Sequence, residues 1–383
     1  TDDIRDAPAI DIIKKLLQKE KTPKEAVFSF ACDRIADYNE LFAVIKTYLD
    51  FARPRTNSRL FIFLDEISFV KNWQLAIKEM VDAGLLKNSL MILSGSSILD
   101  LRYAEGIFPN IFYYPLSFGE FVNIIDPSLI SNSEVLSLTY RLPKLSKLFD
   151  DYLLTGGFMK IINEYFATGR ITNGSYETLL TAFENDINKI GRNGTTAYQI
   201  VSNLIRTMTT PVSQNELAKS SGLVSHEAVG EYLDIFEKMF TTTSFPAYLV
   251  EQRRKDLLKN KKYYFVDPFI FNALFAKVKD KMDDPFGFSR DVTGGEKRPL
   301  IAENVVAAHL FRNNLLHYWG KTANGEIDFV TKTKDKLSFY EVKYREKIDY
   351  SEILKVDNLT IISKKTYKEK PILTLPLEIF LLI

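Results

Sequence analysis

Short apolar runs alternate with amphipathic segments through the first third of the chain. The apolar runs lie at 26–31, 60–64, 90–93 and 111–115, and the amphipathic segments lie at 8–19, 38–51, 73–83 and from Ser117 onward. Runs of this length are typical of strands, whereas apolar residues three or four positions apart indicate helices. Because strands and helices alternate regularly, the pattern predicts an α/β fold with a parallel, doubly wound sheet.

The run at 60–64 ends in two adjacent carboxylates, Asp65 and Glu66. A central strand of a parallel sheet is apolar throughout, and ligands bind beyond the C-terminal ends of such strands. An Asp there can hold Mg²⁺ through a water, and a following Glu can polarise the water that attacks a γ-phosphate. The pattern indicates a Walker B motif; the alternative is a buried strand closed by polar turn residues. The polar turn after the next run adds Ser94 and Ser96 as nucleotide-binding candidates.

Strand patterns stop near residue 127, and 134–192 is predicted to be helical, with a break at Gly156-Gly157. Helices at 198–208, 214–221 and 225–239 follow, with Ser213 and Ser225 as N-caps, and the last two form a helix-turn-helix pattern. Two extended segments, 242–250 and 262–266, come next. The cations between and beside them are Arg253, Arg254, Lys255, Lys259, Lys261 and Lys262.

These elements predict a winged helix with a basic wing. Two alternatives stay open, which are contact with DNA and a role in packing only. The second helix of the pattern carries Glu227, Glu231 and Asp234. DNA phosphates would repel these carboxylates, which speaks against DNA contact.

Four charged residues in the last part of the chain form a second candidate site. Glu341 and Lys343 lie two apart on a predicted strand at 337–342 and therefore share a face. Asp328, on the preceding strand at 325–330, can reach the same face, and Glu303 lies on a predicted helix at 299–311. Carboxylates converging with a lysine predict an oxygen-rich Mg²⁺ site, where the metal would activate a water and Lys343 would place the nucleophile. The alternative is a solvated charged hairpin.

Composition narrows the functional classes. The chain has 383 residues, a net charge of +1, one Cys and three His. This length predicts two to four domains, and the balanced charge means that a nucleic-acid surface would have to be local. A single Cys32 excludes an internal disulfide and fits a cytoplasmic protein. No apolar run reaches the roughly 18 residues that span a bilayer, and the N-terminus lacks a signal-peptide pattern.

The order of these motifs resembles a widespread prokaryotic family of AAA-type ATP-binding proteins whose C-terminal region is the DUF4143 domain or its DUF234 relative. The resemblance rests on motifs spread from about residue 26 to the end: Leu64-Asp65-Glu66 with Trp73 close behind, Leu93-Ser94-Gly95-Ser96-Ser97, Tyr114-Pro115-Leu116-Ser117-Phe118-Gly119-Glu120-Phe121, Tyr152-Leu153-Leu154-Thr155-Gly156-Gly157-Phe158, the helix-turn-helix, Tyr264-Phe265-Val266-Asp267-Pro268, Glu303-Asn304-Val305-Val306, Glu326-Ile327-Asp328-Phe329 and Glu341-Val342-Lys343.

The resemblance implies four domains. They are a P-loop ATPase core at 1–126, a helical lid at 127–194, a winged helix at 195–268 and a PD-(D/E)xK, restriction-endonuclease-like α/β domain at 269–383. It also implies site roles: Asp65 and Glu66 as the metal and water-activating pair, Ser94 as a sensor of the γ-phosphate, and Glu303, Asp328, Glu341 and Lys343 as a nuclease-type cluster with metal at Asp328 and Glu341.

One departure is large, because no G-x-x-x-x-G-K-[ST] motif occurs in the chain. This loop normally cradles the β- and γ-phosphates. Acidic residues, Asp2 and Asp3, stand before the helix that should follow it. Either the first strand and its loop are absent from this sequence, or nucleotide binding has been lost; we favour the first because Asp65-Glu66 is intact.

Three functional hypotheses follow. The first is an ATP-binding AAA-type ATPase that is coupled to a DNA-associated, nuclease-like domain. The second is a Mg²⁺-dependent DNA nuclease on a degenerate ATPase scaffold, and the third is a non-enzymatic regulator that binds DNA or another partner. The expected partners are ATP or ADP with Mg²⁺, DNA, and a second copy of the chain in a homo-oligomer; a membrane is not expected.

Overall fold

The computed structural model describes residues 22–95, 114–131, 134–222, 225–256, 260–313, 316–323, 325–333, 336–354 and 356–383. The chain divides into two compact units, which we call the N-terminal unit (Thr1–Phe112) and the C-terminal unit (Tyr113–Ile383). The predicted helix at 8–19 and most of the predicted strand at 111–115 lie outside the described residues.

Three parallel strands form the sheet of the N-terminal unit. They are β1 (Val27–Ala31), β2 (Leu60–Asp65) and β3 (Ser89–Leu93), in the spatial order β1-β2-β3. Helices α1 (Tyr38–Ala52) and α2 (Trp73–Asp82) lie between them in the chain. These elements confirm the alternation that the apolar pattern predicts, and the parallel pairing fits a P-loop type of α/β fold.

Packing explains why β2 is apolar. All side chains of Leu60–Leu64 are buried. The first, third and fifth of them pack with apolar residues of α1 and α2 in one core. The second and fourth point to the opposite face, because side chains alternate along a strand. Polar residues begin only at Asp65, where the strand ends.

The C-terminal unit begins with helices, as predicted for 134–192. They are α3 (Phe118–Ile125), α4 (Val135–Thr155), α5 (Met159–Thr168), α6 (Asn173–Lys189), α7 (Gly194–Arg206), α8 (Gln214–Ser220) and α9 (His226–Lys238). Ser213 and Ser225 cap α8 and α9 as predicted, since their hydroxyls accept backbone N–H groups of the first turn. α7 begins before the predicted Tyr198 because the side chain of Asn193 caps it.

Strands and further helices make up the rest of this unit. The strands are β4 (Thr242–Phe245), β5 (Ala247–Leu249), β6 (Arg254–Asp256), β7 (Lys262–Phe265), β8 (Leu316–Thr322), β9 (Gly325–Thr333), β10 (Lys336–Lys343), β11 (Leu359–Ser363) and β12 (Leu373–Pro376). The helices are α10 (Pro268–Val278), α11 (Pro285–Gly294), α12 (Arg298–Arg312) and α13 (Leu377–Phe380). β4 pairs with β7, and the other strands form one sheet in the order β12-β11-β10-β9-β8-β5-β6.

The segment predicted to be a basic wing is part of this larger sheet. The predicted strand at 242–250 is interrupted at Pro246, which leaves β4 and β5 with different partners. β5 pairs with β6 in antiparallel fashion and with β8 in parallel. Parts of the predicted winged helix and of the predicted nuclease-like domain therefore share one sheet. The winged-helix assignment itself stays a prediction.

A buried carboxylate, Asp267, joins the end of α4 to the start of α10. Its Oδ2 accepts the N–H of Gly157 at 2.8 Å, and its Oδ1 accepts the N–H of Phe269 at 2.8 Å. Gly156, just before this contact, has φ 58° and ψ −156°. Only glycine adopts that region readily, so the predicted helix break at Gly156-Gly157 serves this contact.

Candidate functional sites

The acidic end of β2 lies beside the polar end of β3. Leu64 and Leu93 are partners in the parallel register, so Asp65 and Ser94 follow at the same edge of the sheet. The hydroxyl of Ser94 donates a hydrogen bond to Asp65 Oδ1. Ser94 is fixed by its backbone, because its N–H donates to the Leu64 carbonyl at 2.9 Å and its carbonyl accepts the Ile67 N–H at 2.9 Å.

Glu66 lies in an unusual backbone conformation at this edge. Its φ is 54° and its ψ is 39°, in the left-handed region. A residue other than glycine pays about 1 kcal/mol for this conformation. Such strain is concentrated at functional sites. Here the left-handed conformation of Glu66 turns the chain away from the strand directly after Asp65.

Cys32 directly follows the end of β1 and is buried. Burial, together with the negative charges of Asp65 and Asp33, raises the pKa of the thiol to about 12. The thiol is therefore protonated at neutral pH, and it is not a nucleophile, because nucleophilic cysteines act as thiolates.

The second candidate cluster joins α12, β9 and β10. The backbone N–H of Asp328 donates to Glu341 Oε2 at 3.3 Å, and the N–H of Val342 donates to Asp328 Oδ2 at 2.8 Å. Lys343 Nζ lies 2.5 Å from Glu341 Oε1. The structure thus brings together the carboxylates and the lysine that the strand pattern places on one face.

Glu303 enters this cluster from α12. Its Oε1 accepts the hydroxyl of Tyr264 at 2.8 Å. The helix begins at Arg298, one residue before the predicted start, and Glu303 lies in its second turn. Burial raises the pKa of Glu303 to about 8; the charge of Asp328 adds to the rise and that of Lys262 opposes it. Burial and Asp328 also raise the pKa of Glu341.

Lys262 is the member of this cluster that the sequence analysis missed. Its side chain, in β7, is only 1% exposed, and its Nζ lies 2.9 Å from Glu326 Oε1, 3.4 Å from Asp328 Oδ1 and 4.0 Å from Glu303 Oε1. Burial lowers the pKa of this lysine, but the three carboxylates outweigh burial and raise it to about 12. Lys262 is therefore a charged, buried ammonium.

Comparison with known proteins identifies the N-terminal segment. Residues 11–122 match the family described as AAA domain, and residues 300–372 match a domain of unknown function, DUF4143. The segment 11–122 is therefore similar to an AAA-type, ATPase-like domain. Residues 146–281 match another domain of unknown function, DUF8612. An uncharacterized protein of Haemophilus influenzae is 26% identical over 333 residues, which cover 82% of this chain and 72% of the relative. No solved structure matches the chain.

The AAA-type segment contains the Asp65–Ser94 edge, and its donors fit Mg²⁺. The ion prefers carboxylate and hydroxyl oxygens and keeps several of its waters. Asp65 is partly exposed at the strand end and Ser94 supplies a second oxygen beside it. Ser96, the other predicted nucleotide contact, lies outside the described residues.

The donors of the second cluster, as arranged, do not fit Mg²⁺. In Asp328, Oδ1 accepts from Lys262 and Oδ2 accepts from the Val342 N–H. In Glu341, Oε1 accepts from Lys343 and Oε2 accepts from the Asp328 N–H. Within the described residues, no group of three or more His, Cys, Asp or Glu side chains is placed to hold a metal ion. The nuclease-type role of Glu303, Asp328, Glu341 and Lys343 stays a prediction.

The predicted basic wing loses one cation and keeps others. Lys262 is buried in the cluster, so its ammonium is not part of a basic surface of the predicted wing. Arg253, Arg254 and Lys255 are exposed, with the last two on the edge strand β6, whereas Lys259 lies outside the described residues. DNA contact by this segment stays a prediction.

The described helices were compared with the length and apolar character that a membrane-spanning helix needs. In the part of the chain that the structure describes, no helix is both long and apolar enough to span a bilayer.

Proposed function

We propose that the protein binds ATP with Mg²⁺ at the C-terminal edge of the β1-β2-β3 sheet and hydrolyses it. The observation that carries the proposal is the contact between Asp65 and Ser94 at the ends of two adjacent parallel strands. These strands lie in the segment that matches the AAA domain family, and ligands of open α/β sheets bind at this edge.

Each residue at the edge has its own role in this proposal. Asp65 holds the metal through a water, and Ser94 keeps the Asp65 carboxylate in place. When bound, Mg²⁺ neutralises charge on the β- and γ-phosphates. Glu66 accepts a hydrogen bond from the attacking water and orients it toward the γ-phosphorus.

Calorimetry of the full-length protein with ATP and Mg²⁺, followed by a phosphate-release assay, tests this function. Glu66→Gln should keep nucleotide binding but lose hydrolysis by roughly a hundred-fold or more, since it removes the group that polarises water. Asp65→Ala should weaken Mg²⁺-dependent binding. Glu79→Gln, an exposed change on α2, is the matched control and should change neither. Full-length protein that binds no nucleotide would overturn the proposal.

Contact with DNA through the C-terminal unit is a second candidate. It is favoured by the three exposed cations Arg253, Arg254 and Lys255, which follow the helices α7–α9. Phosphate contacts weaken as salt rises. Replacing the three by Ala should therefore reduce both DNA affinity and its salt dependence in fluorescence anisotropy; an unchanged affinity would exclude this surface. Metal-dependent DNA cleavage has less support, because Lys262 Nζ lies among the carboxylates that would hold the metal.

A further inference from the structure

The ammonium of Lys262 lies beside Asp328, one of the two residues predicted to hold metal in the nuclease-type cluster. We propose that Lys262 Nζ is the resident cation of the cluster formed by Glu303, Glu326 and Asp328. In this proposal the cluster is an internal ion-pair network that joins β7 and α12 to β9, and a divalent cation binds there only when the lysine is removed.

The distances indicate that the charge of Lys262 is shared among several acidic side chains and does not belong to one ion pair. Lys262 Nζ is 2.9 Å from Glu326, 3.4 Å from Asp328 and 4.0 Å from Glu303. Its three partners come from two different elements, β9 and α12. An ammonium surrounded by carboxylate oxygens on several sides occupies the place that a metal ion takes in an oxygen-ligand site.

Burial of the cluster keeps the Lys262 side chain in its paired position. The Lys262 side chain is 1% exposed, and the side chains of Glu303 and Asp328 are 12% and 15% exposed. A charge that leaves water is tolerated only when it is paired and hydrogen-bonded. If the Lys262 side chain left the cluster, Glu303 and Asp328 would remain mostly buried without a cation beside them. The folded protein therefore retains the lysine in the cluster.

Other protein groups also engage oxygens in this cluster and beside it. Tyr264 donates to Glu303, Val342 donates to Asp328, and Lys343 pairs with Glu341. A Mg²⁺ ion would have to displace Lys262 and break these contacts as well. The cluster has the carboxylates of a metal site, while internal donors occupy several of the oxygens that a metal would need.

Removing the ammonium should convert the network into a cation site. Lys262→Met keeps the unbranched chain and removes the charge, which leaves Glu326 and Asp328 without their counter-charge, beside the carboxyl group of Glu303. Glu326 is 43% exposed, so a cation can reach the position from solvent. Mn²⁺ is a suitable probe because it takes oxygen ligands and is detected directly by electron paramagnetic resonance.

The experiment counts Mn²⁺ ions bound per full-length chain in the wild type and in variants. Lys262→Met should bind one more Mn²⁺ than the wild type, and Asp328→Asn added to it should abolish this gain. Lys261→Met, a change of the neighbouring lysine outside the cluster, is the matched control and should bind the same number as the wild type. A folded Lys262→Met protein without the extra ion overturns the proposal.

A second measurement needs only the wild type. Fe²⁺ with ascorbate and peroxide cuts the backbone beside a bound divalent metal, and the wild type should not be cut within 326–343. Cutting there overturns the proposal. If Lys262→Met does not fold, the cleavage pattern of the wild type decides the matter.

Discussion

The backbone beside Asp267 has room for glycine only. A Cβ on Gly156 would collide with the Asp267 carboxylate, and a Cβ on Gly157 would collide with the backbone of Leu116. Asp267 is fully buried and accepts backbone N–H groups from Gly157 and Phe269. The two glycines therefore let the end of α4 approach a carboxylate that must be hydrogen-bonded to be buried.

Gly156→Ala should destabilise the protein by about 3 kcal/mol or more, because it combines a backbone conformation that alanine rarely adopts with a steric collision. Urea denaturation followed by circular dichroism measures the change. Gly194→Ala is the control: Gly194 opens α7 and a Cβ there would meet nothing within 4 Å. This control should be neutral or slightly stabilising, and equal losses in both variants would contradict the argument.

His309 should make the free energy of unfolding depend on pH in the acidic range. Burial, together with the charge of Arg312, lowers its pKa to about 4, while an unfolded histidine has a pKa near 6.5. Because the folded pKa is depressed, the contribution of neutral His309 is fully present above pH 6.5 and is lost as the pH falls toward 4.

Between pH 8 and pH 5 the wild type should lose about 2 kcal/mol relative to His309→Gln. Urea denaturation of both proteins at several pH values measures this difference. His226→Gln, at an exposed position on α9, should follow the wild-type curve. Parallel curves for the wild type and His309→Gln would show that the pKa of His309 is the same in the folded and unfolded protein.

Residue roles were predictable where local sequence carries the signal. Asp65 follows an apolar strand directly, so the pattern alone places it at the sheet edge. Lys262 follows a run of cations, and the pattern therefore indicated that it belongs to a basic wing. Its partner Asp328 is 66 positions further along the chain, and no local pattern reports a contact of that range.

At the scale of elements, Asn304 joins helix α12 to strand β7. Its Oδ1 accepts the N–H of Phe265 at 2.7 Å, and its Nδ2 donates to the carbonyl of the same residue at 2.8 Å. Asn304 is 1% exposed. The side-chain amide thus takes the place of a neighbouring strand and satisfies a backbone that is shielded from water.

Asn304→Asp should cost about 3 kcal/mol, since a carboxylate cannot donate to the Phe265 carbonyl and would be buried beside Glu303. Thermal denaturation of the variant measures the loss. Asn313→Asp, at the exposed end of the same helix, is the matched control and should cost at most about 0.5 kcal/mol. An equal effect of both changes would mean that the buried amide contributes no specific contact.

Element positions were largely predictable, but sheet membership was not. The strands β1, β2 and β3 follow from apolar runs bounded by polar turns, and α8 and α9 follow from their serine caps. The pairing of β5 with β8 links 247–249 to 319–321. This pairing is decided by packing of the folded chain, so the sequence pattern alone places these residues in two different domains.

At the scale of the whole molecule, the chain forms two compact units. The core of the N-terminal unit consists of side chains from its own strands and helices, with Ile62 fully buried in it. The C-terminal unit has a core of its own that includes Ile327 and Ile361. Units with separate cores are able to unfold in separate steps.

Differential scanning calorimetry of the full-length protein should therefore show two transitions. Ile62→Ala removes buried volume from the N-terminal core and should cost about 3 kcal/mol, which lowers one transition by roughly 10 °C or more. Asn304→Asp should lower only the other. Addition of ATP with Mg²⁺ should raise the transition that Ile62→Ala lowers, because a ligand stabilises the unit that binds it. A single transition that both substitutions shift equally would mean that the two units unfold together, and the nucleotide would then stabilise the whole chain.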